Sequence, residues 1–148
     1  MAKSGAVLTR FYSASPVCSP TRASVMTGRH PERMGICSAN CGHIKDEEIT
    51  IAEMVKKKGY RTGFFGKWHL GTLSVDFLDA NRGGKKENQI HYAPPWNHGF
   101  DVSFATESKV PTWDPMITPN QSAGDVKSSL LEGGFFGTSY WTGPGKRV

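Results

Sequence analysis

The stretch TIAEMVKKKGYRTGFFGKWHLG, residues 50–71, constrains the fold more than any other part of this chain. Thr50 followed by Glu53 is a capping-box pattern, Ile51, Met54 and Val55 make an apolar face, and Gly59 supplies a left-handed stop. Tyr60 to Phe65 then reads as a strand, with Gly66 opening the turn that presents Lys67, Trp68 and His69. Helix, glycine, strand and a polar cluster at the strand's carboxyl end together predict an α/β fold.

Elements on either side are less regular. Residues 1–5, MAKSG, read as the last turn of a helix closed by Gly5, and residues 6–13, AVLTRFYS, as a buried strand. A chain opening on the end of a helix is expected to be a fragment. Pro16 and Pro20 bracket Cys18, and TRASVMT carries helical propensity up to Gly28, which places Cys18 just ahead of a helix N-terminus. Residues 29–48 form a polar, turn-rich loop, and beyond Gly71 the segments APPWNHGFD and VPTWDPMITP read as proline and aromatic loops.

The formal charge of +5 is mild. Lys56, Lys57 and Lys58 on the helix, and Arg82, Lys85 and Lys86 further on, read as solvated cations; no dense basic stripe with interleaved aromatics is present, so nucleic acid is not an expected partner. No apolar run is long enough to span a bilayer. Cys37 and Cys41 admit three readings: a local disulfide, free thiols, or a zinc site completed with His43.

Two polar clusters carry chemistry. Cys18 combines a potential nucleophile with a helix N-terminus and, one helical turn on, Arg22. Backbone N–H groups there attract anions, and a guanidinium matches a tetrahedral oxyanion through paired hydrogen bonds. Such a pocket suits sulfate or phosphate, although a small buried cysteine beside a surface arginine explains the same residues. Lys67 and His69 lie on one side of the chain if extended geometry continues through them, offering a point charge for an anion and a proton carrier. A solvated lysine and a packed histidine are the plainer alternative.

Taken together, the clusters resemble the sulfatase family. CSPTR matches its C-x-P-x-R signature, SPVCSPTRASVMTGRHP resembles the extended form, and GYRTGFFGKWHLG is similar to the second signature at the family's spacing. The resemblance implies an alkaline-phosphatase-like α/β sandwich, a mixed sheet flanked by helices, with residues 1–148 forming part of the catalytic domain. It implies that a separate maturation enzyme oxidises Cys18 to formylglycine, whose hydrate attacks sulfur and expels the alcohol. Loss of the second hydroxyl's proton then breaks the bond to sulfate, releasing it and regenerating the aldehyde. Arg22 would hold the hydrated residue, Lys67 would bind the sulfate and the nucleophile's oxygens, and His69 would hydrogen-bond the hydrate and help break down the sulfated intermediate.

Calcium is the implied metal, with the formylglycine at position 18 as one ligand. Its paired aspartates are expected on a strand preceding this chain, and its Asp-Asn pair beyond Val148. A further histidine protonates the leaving group in such enzymes; His91 and His98 are present, but neither sits in a motif that assigns it. Asp101 and Asp114 read as turn-shaping residues rather than metal ligands. The implied substrate is a sulfated small molecule or glycan, and the implied location periplasmic or secreted. Two other readings are a phosphonate or phosphate monoester hydrolase of the same superfamily, and a truncated remnant without catalysis.

Overall fold

In the computed structural model, residues 2–77, 79, 82–108 and 139–148 are described. Helix α1 spans Cys18–Thr27 and helix α2 Ile51–Lys56; strands β1 (Gly63–Lys67), β2 (Val102–Thr106), β3 (Trp141–Gly143) and β4 (Lys146–Arg147) form one sheet in that order. β1 and β2 run parallel, with Gly63 opposite Val102 and Lys67 opposite Thr106, whereas β3 and β4 are antiparallel. The crossover between the parallel strands contains two short 3-10 turns, Lys86–His91 and Pro95–Asn97. This is the mixed α/β architecture expected from residues 50–71.

The two signature segments share one core. Ala23 of α1 clusters with Met34, Ile36 and Ile44 of the following loop, with Phe64, Trp68, Leu70 and Leu73, and with Ala105 and Trp141 of the sheet. Trp68 satisfies its buried indole N–H by donating to the Ala93 carbonyl at 2.6 Å, so a large apolar ring is buried at no hydrogen-bonding cost. Phe64 and Phe100 meet Trp68 edge-on, and His98 stacks against it.

Helix α1 ends as the sequence predicts, with Gly28 left-handed at φ 70° and its N–H on the Ser24 carbonyl. The capping box is also present: the Thr50 hydroxyl accepts from Glu53 N at 3.2 Å, and the Glu53 carboxylate accepts from Thr50 N at 2.7 Å. The face assigned to this helix is different. Ile51 and Met54 are exposed and Ala52 is the buried residue, because α2 is only six residues long and docks through its cap and Ala52.

Three expectations are corrected. Residues 2–4 form a turn rather than the end of a helix, and 6–13 form no strand: Val7, Leu8, Phe11 and Tyr12 are all exposed. Strand propensity needs a neighbouring strand to satisfy the backbone, and none of the described strands pairs with this segment. The strand predicted at 60–65 is shifted to Gly63–Lys67 and includes Gly66. Its start is set by Thr62, whose backbone N–H and hydroxyl both donate to the Asp101 carboxylate at 3.0 Å.

Asp101 is thus a structural residue, as its sequence context suggests. An ion pair with Lys56 and the Thr62 hydrogen bonds hold its carboxyl down at about 2. Asp114 and the VPTWDPMITP segment lie outside the described residues.

Candidate active site

Cys18 occupies the first position of α1, half-buried and free. The entry to the helix is fixed by Ser15, whose carbonyl accepts from the Thr21 hydroxyl at 2.6 Å, and Pro20 packs buried in the first turn. No acidic side chain occupies that turn, so its unpaired N–H groups keep their attraction for an anion.

One turn along, Arg22 joins the two clusters. Its Nη1 donates to the Lys67 carbonyl at 2.5 Å, tying α1 to the end of β1. Burial lowers the guanidinium's affinity for its proton, with the Cys18 charge acting in the opposite sense.

After Lys67 the chain leaves extended geometry. Trp68 and His69 still donate their backbone N–H groups to the Thr106 and Glu107 carbonyls at 2.9 and 2.7 Å, but His69 itself is left-handed at φ 57°. The expectation that Lys67 and His69 share a side by strand alternation therefore fails at its second residue. The turn brings His69 close to cations regardless: its imidazole is buried and held down at about 4, first by desolvation and then by the charges of Lys67, Arg82 and Arg22. It is neutral near pH 7. Its Nε2 meets Asn40 Oδ1 at 2.8 Å and its Nδ1 has no partner among the described residues.

Three neighbours escaped the sequence reading. Asn40 contacts His69 from a loop twenty-nine positions away in sequence, which no local pattern announces. Arg82, expected to be solvated, is buried and donates from Nη1 to the Asn40 and Gly42 carbonyls at 3.2 and 2.8 Å. Glu107 is buried and accepts from the backbone N–H groups of Leu73, Arg82 and Gly83; desolvation and the Asp79 charge push its carboxyl up to about 7.

The other candidates fall elsewhere. His91 meets His43, Nδ1 to Nδ1, at 3.0 Å, and His98 is fully buried with neither ring nitrogen hydrogen-bonded to a described residue. Cys37 and Cys41 bring their Sγ atoms to 2.9 Å as free thiols, and His43 makes no metal-binding group with them.

The charges gathered around His69 are positive. Arg22, Lys67 and Arg82 supply positive charge around a neutral imidazole, which suits a tetrahedral oxyanion. It does not suit calcium on its own. That ion takes a shell of oxygen ligands, largely carboxylates, whereas the charged groups around His69 are cations and the nearby Glu107 carboxylate is spent on three backbone donors. Among the described residues no three His, Cys, Asp or Glu side chains lie together as a metal site.

Comparison with known proteins gives the family. The Sulfatase family model matches residues 1–128. Human steryl-sulfatase is 43% identical over 114 residues, covering 70% of this chain and 18% of that protein. Human N-acetylgalactosamine-6-sulfatase is 36% identical over 118 residues, covering 72% and 19%. The chain therefore spans about a fifth of the length of these relatives. Among solved structures, Ps i-CgsB superposes with a TM-score of 0.59 at 24% identity, covering 93% of this chain and 28% of that one, a likeness of fold. With its paired signatures, its mixed α/β sheet and this match over residues 1–128, the chain belongs to the sulfatase family.

Proposed function

We propose that the protein carrying this chain hydrolyses sulfate esters, with Cys18, Arg22, Lys67 and His69 as the part of the active site contributed here. The observation that carries the reading is the Arg22–Lys67 hydrogen bond, which joins the nucleophile helix to the strand end bearing the anion-binding lysine and the histidine. Residues 1–148 are read as part of the catalytic domain, and the substrate class as a sulfated small molecule or glycan, in keeping with relatives named for steryl and N-acetylgalactosamine-6-sulfate esters.

Cys18 fits conversion to formylglycine: it is a free, half-buried thiol inside an intact C-x-P-x-R sequence, and a maturation enzyme is the partner this requires. The modification supplies an aldehyde hydrate in place of a thiol. The chain's own residues do the rest. The N-terminus of α1 and Arg22 orient the group at position 18, and Lys67 binds the sulfate oxygens as a point charge that gains strength as charge develops in the transition state. His69, neutral near pH 7 and with Nδ1 unpartnered among the described residues, receives and returns a proton. Calcium is an expectation from the family, and the described residues do not by themselves provide its shell. Secretion or a periplasmic location is proposed on the same family basis; no helix among the described residues is long and apolar enough to cross a membrane.

Parallel assays of aryl sulfate and aryl phosphonate hydrolysis by the full-length protein test the reading. A preference for the sulfate is expected; a preference for the phosphonate would replace it with the related esterase, and hydrolysis of neither with a non-catalytic remnant.

A further inference from the structure

Asn40 at φ 61° and His69 at φ 57° are the non-glycine residues with left-handed backbone among those described, and they are bonded to each other through Oδ1 and Nε2 at 2.8 Å. Strained backbone of this kind persists where the surroundings over-determine it. Both residues are held in that way. Arg82 Nη1 grips the Asn40 and Gly42 carbonyls, Glu107 O accepts from His69 N, and Leu70 O accepts from Ile44 N at 2.7 Å. Glu107 in turn anchors the Arg82 and Gly83 backbone through its carboxylate. The loop around Asn40 and the turn at His69 are thus fastened along both backbones, and the Asn40–His69 side-chain hydrogen bond joins them.

We propose that Asn40 is a positioning residue for His69, its side-chain carbonyl fixing the neutral imidazole with the proton on Nε2 and the lone pair on Nδ1. A neutral imidazole in water divides its proton between two nitrogens, and only the Nε2-protonated tautomer leaves the buried Nδ1, which has no partner among the described residues, able to accept a proton. A carbonyl facing Nε2 selects that tautomer; the same nitrogen facing a donor would select the other. The cations around His69 disfavour the imidazolium, so the choice of neutral tautomer decides which nitrogen works. The inference rests on the reading of His69 as the proton carrier.

Asn40 lies on the surface, and glycine accepts a left-handed φ freely, so Asn40→Gly removes the contact while preserving the backbone. Asn40→Asp keeps an oxygen at the same place and adds a charge. The test is ¹⁵N NMR of the imidazoles in the full-length protein, with the His69 signals assigned by their loss in His69→Gln, alongside kcat and KM on an aryl sulfate. Wild type is expected to show Nε2 protonated. Asn40→Gly is expected to show mixed tautomers, with kcat lower by about ten- to a hundred-fold and KM little changed. Asn40→Asp is expected to restore the tautomer and move the acid limb of the kcat profile to higher pH. An unchanged tautomer in Asn40→Gly overturns the proposal. Mixed tautomers with unchanged kcat uphold the contact and overturn the role given to His69.

Discussion

Arg22 reaches from the first turns of α1 to the backbone carbonyl of Lys67 at 2.5 Å, so the segment bearing Cys18 and the strand end bearing Lys67 are fastened by one charged hydrogen bond. Arg22→Ala removes it and is expected to cost about 1.5–3 kcal/mol of stability. Arg22→Lys recovers charge without the reach and planar geometry of the guanidinium, and should recover little. Lys67→Ala should leave stability closer to wild type, and Lys67→Ala and His69→Ala should each lower kcat/KM by about two orders of magnitude, as losses of transition-state contacts do. Urea unfolding and steady-state kinetics on the same variants separate the two effects.

His69 and Glu107, both buried, predict opposite slopes of stability with pH. His69 binds its proton near 6.5 when unfolded and only near 4 when folded. Between those values protons favour the unfolded chain, and stability falls as pH drops through the window. Burial lowers His43, His91 and His98 in the same direction, so His69→Gln should flatten only part of the acid limb. Glu107, raised from 4.5 to about 7, contributes stability that is full below 4.5 and lost as pH rises through 7. Glu107→Gln should remove that loss. Unfolding midpoints measured from pH 4 to 9 check both signs.

Gly99, at φ 85°, has no room for a side chain: a Cβ there would stand 2.6 Å from Glu53 Cγ and 2.7 Å from Glu53 N. Gly99→Ala is therefore expected to displace the residue that closes the α2 capping box and to cost about 2 kcal/mol or more, from backbone strain and overpacking together. Gly28, at φ 70° with open space around it, carries the backbone strain without the clash and should cost less when replaced by alanine. Thermal unfolding of the two variants compares them directly.

How far the sequence could be read depended on the range of each interaction. The capping box at Thr50 and Glu53, the stop at Gly28 and the α/β order of residues 50–71 are local, and all are present. The segment 6–13 has the composition of a strand without a described partner, which composition cannot supply. His69 was identifiable as a candidate from its motif. Its left-handed backbone was not, because that geometry is imposed by Glu107, Arg82 and Asn40, residues separated from it by thirteen to thirty-eight positions. Arg82 reads as a surface cation for the same reason: the carbonyls of Asn40 and Gly42 that bury it are invisible locally.

The Cys37 and Cys41 sulfurs, 2.9 Å apart, bracket the loop that carries Asn40. Their shared hydrogen bond lowers the Cys41 thiol and raises that of Cys37, making Cys41 the more readily ionised attacking sulfur. Oxidised glutathione is expected to convert the pair to a disulfide, releasing two molecules of reduced glutathione and leaving Cys18 as the free thiol of the unmodified chain. Thiol titration and peptide mapping before and after treatment check this; mixed disulfides on Cys18 with Cys37 and Cys41 still free would contradict it.

On this reading hydrolysis depends on a modified Cys18 acting with Lys67 and His69, a dependence open to measurement. Its most direct test is the rate of aryl sulfate hydrolysis by the full-length protein, plotted against the fraction of Cys18 found as formylglycine in peptide mass spectra as the maturation enzyme is varied. The account predicts a straight line through the origin, with Cys18→Ala at zero. Hydrolysis that persists when no Cys18 is converted, or that is absent when all of it is, would contradict the account.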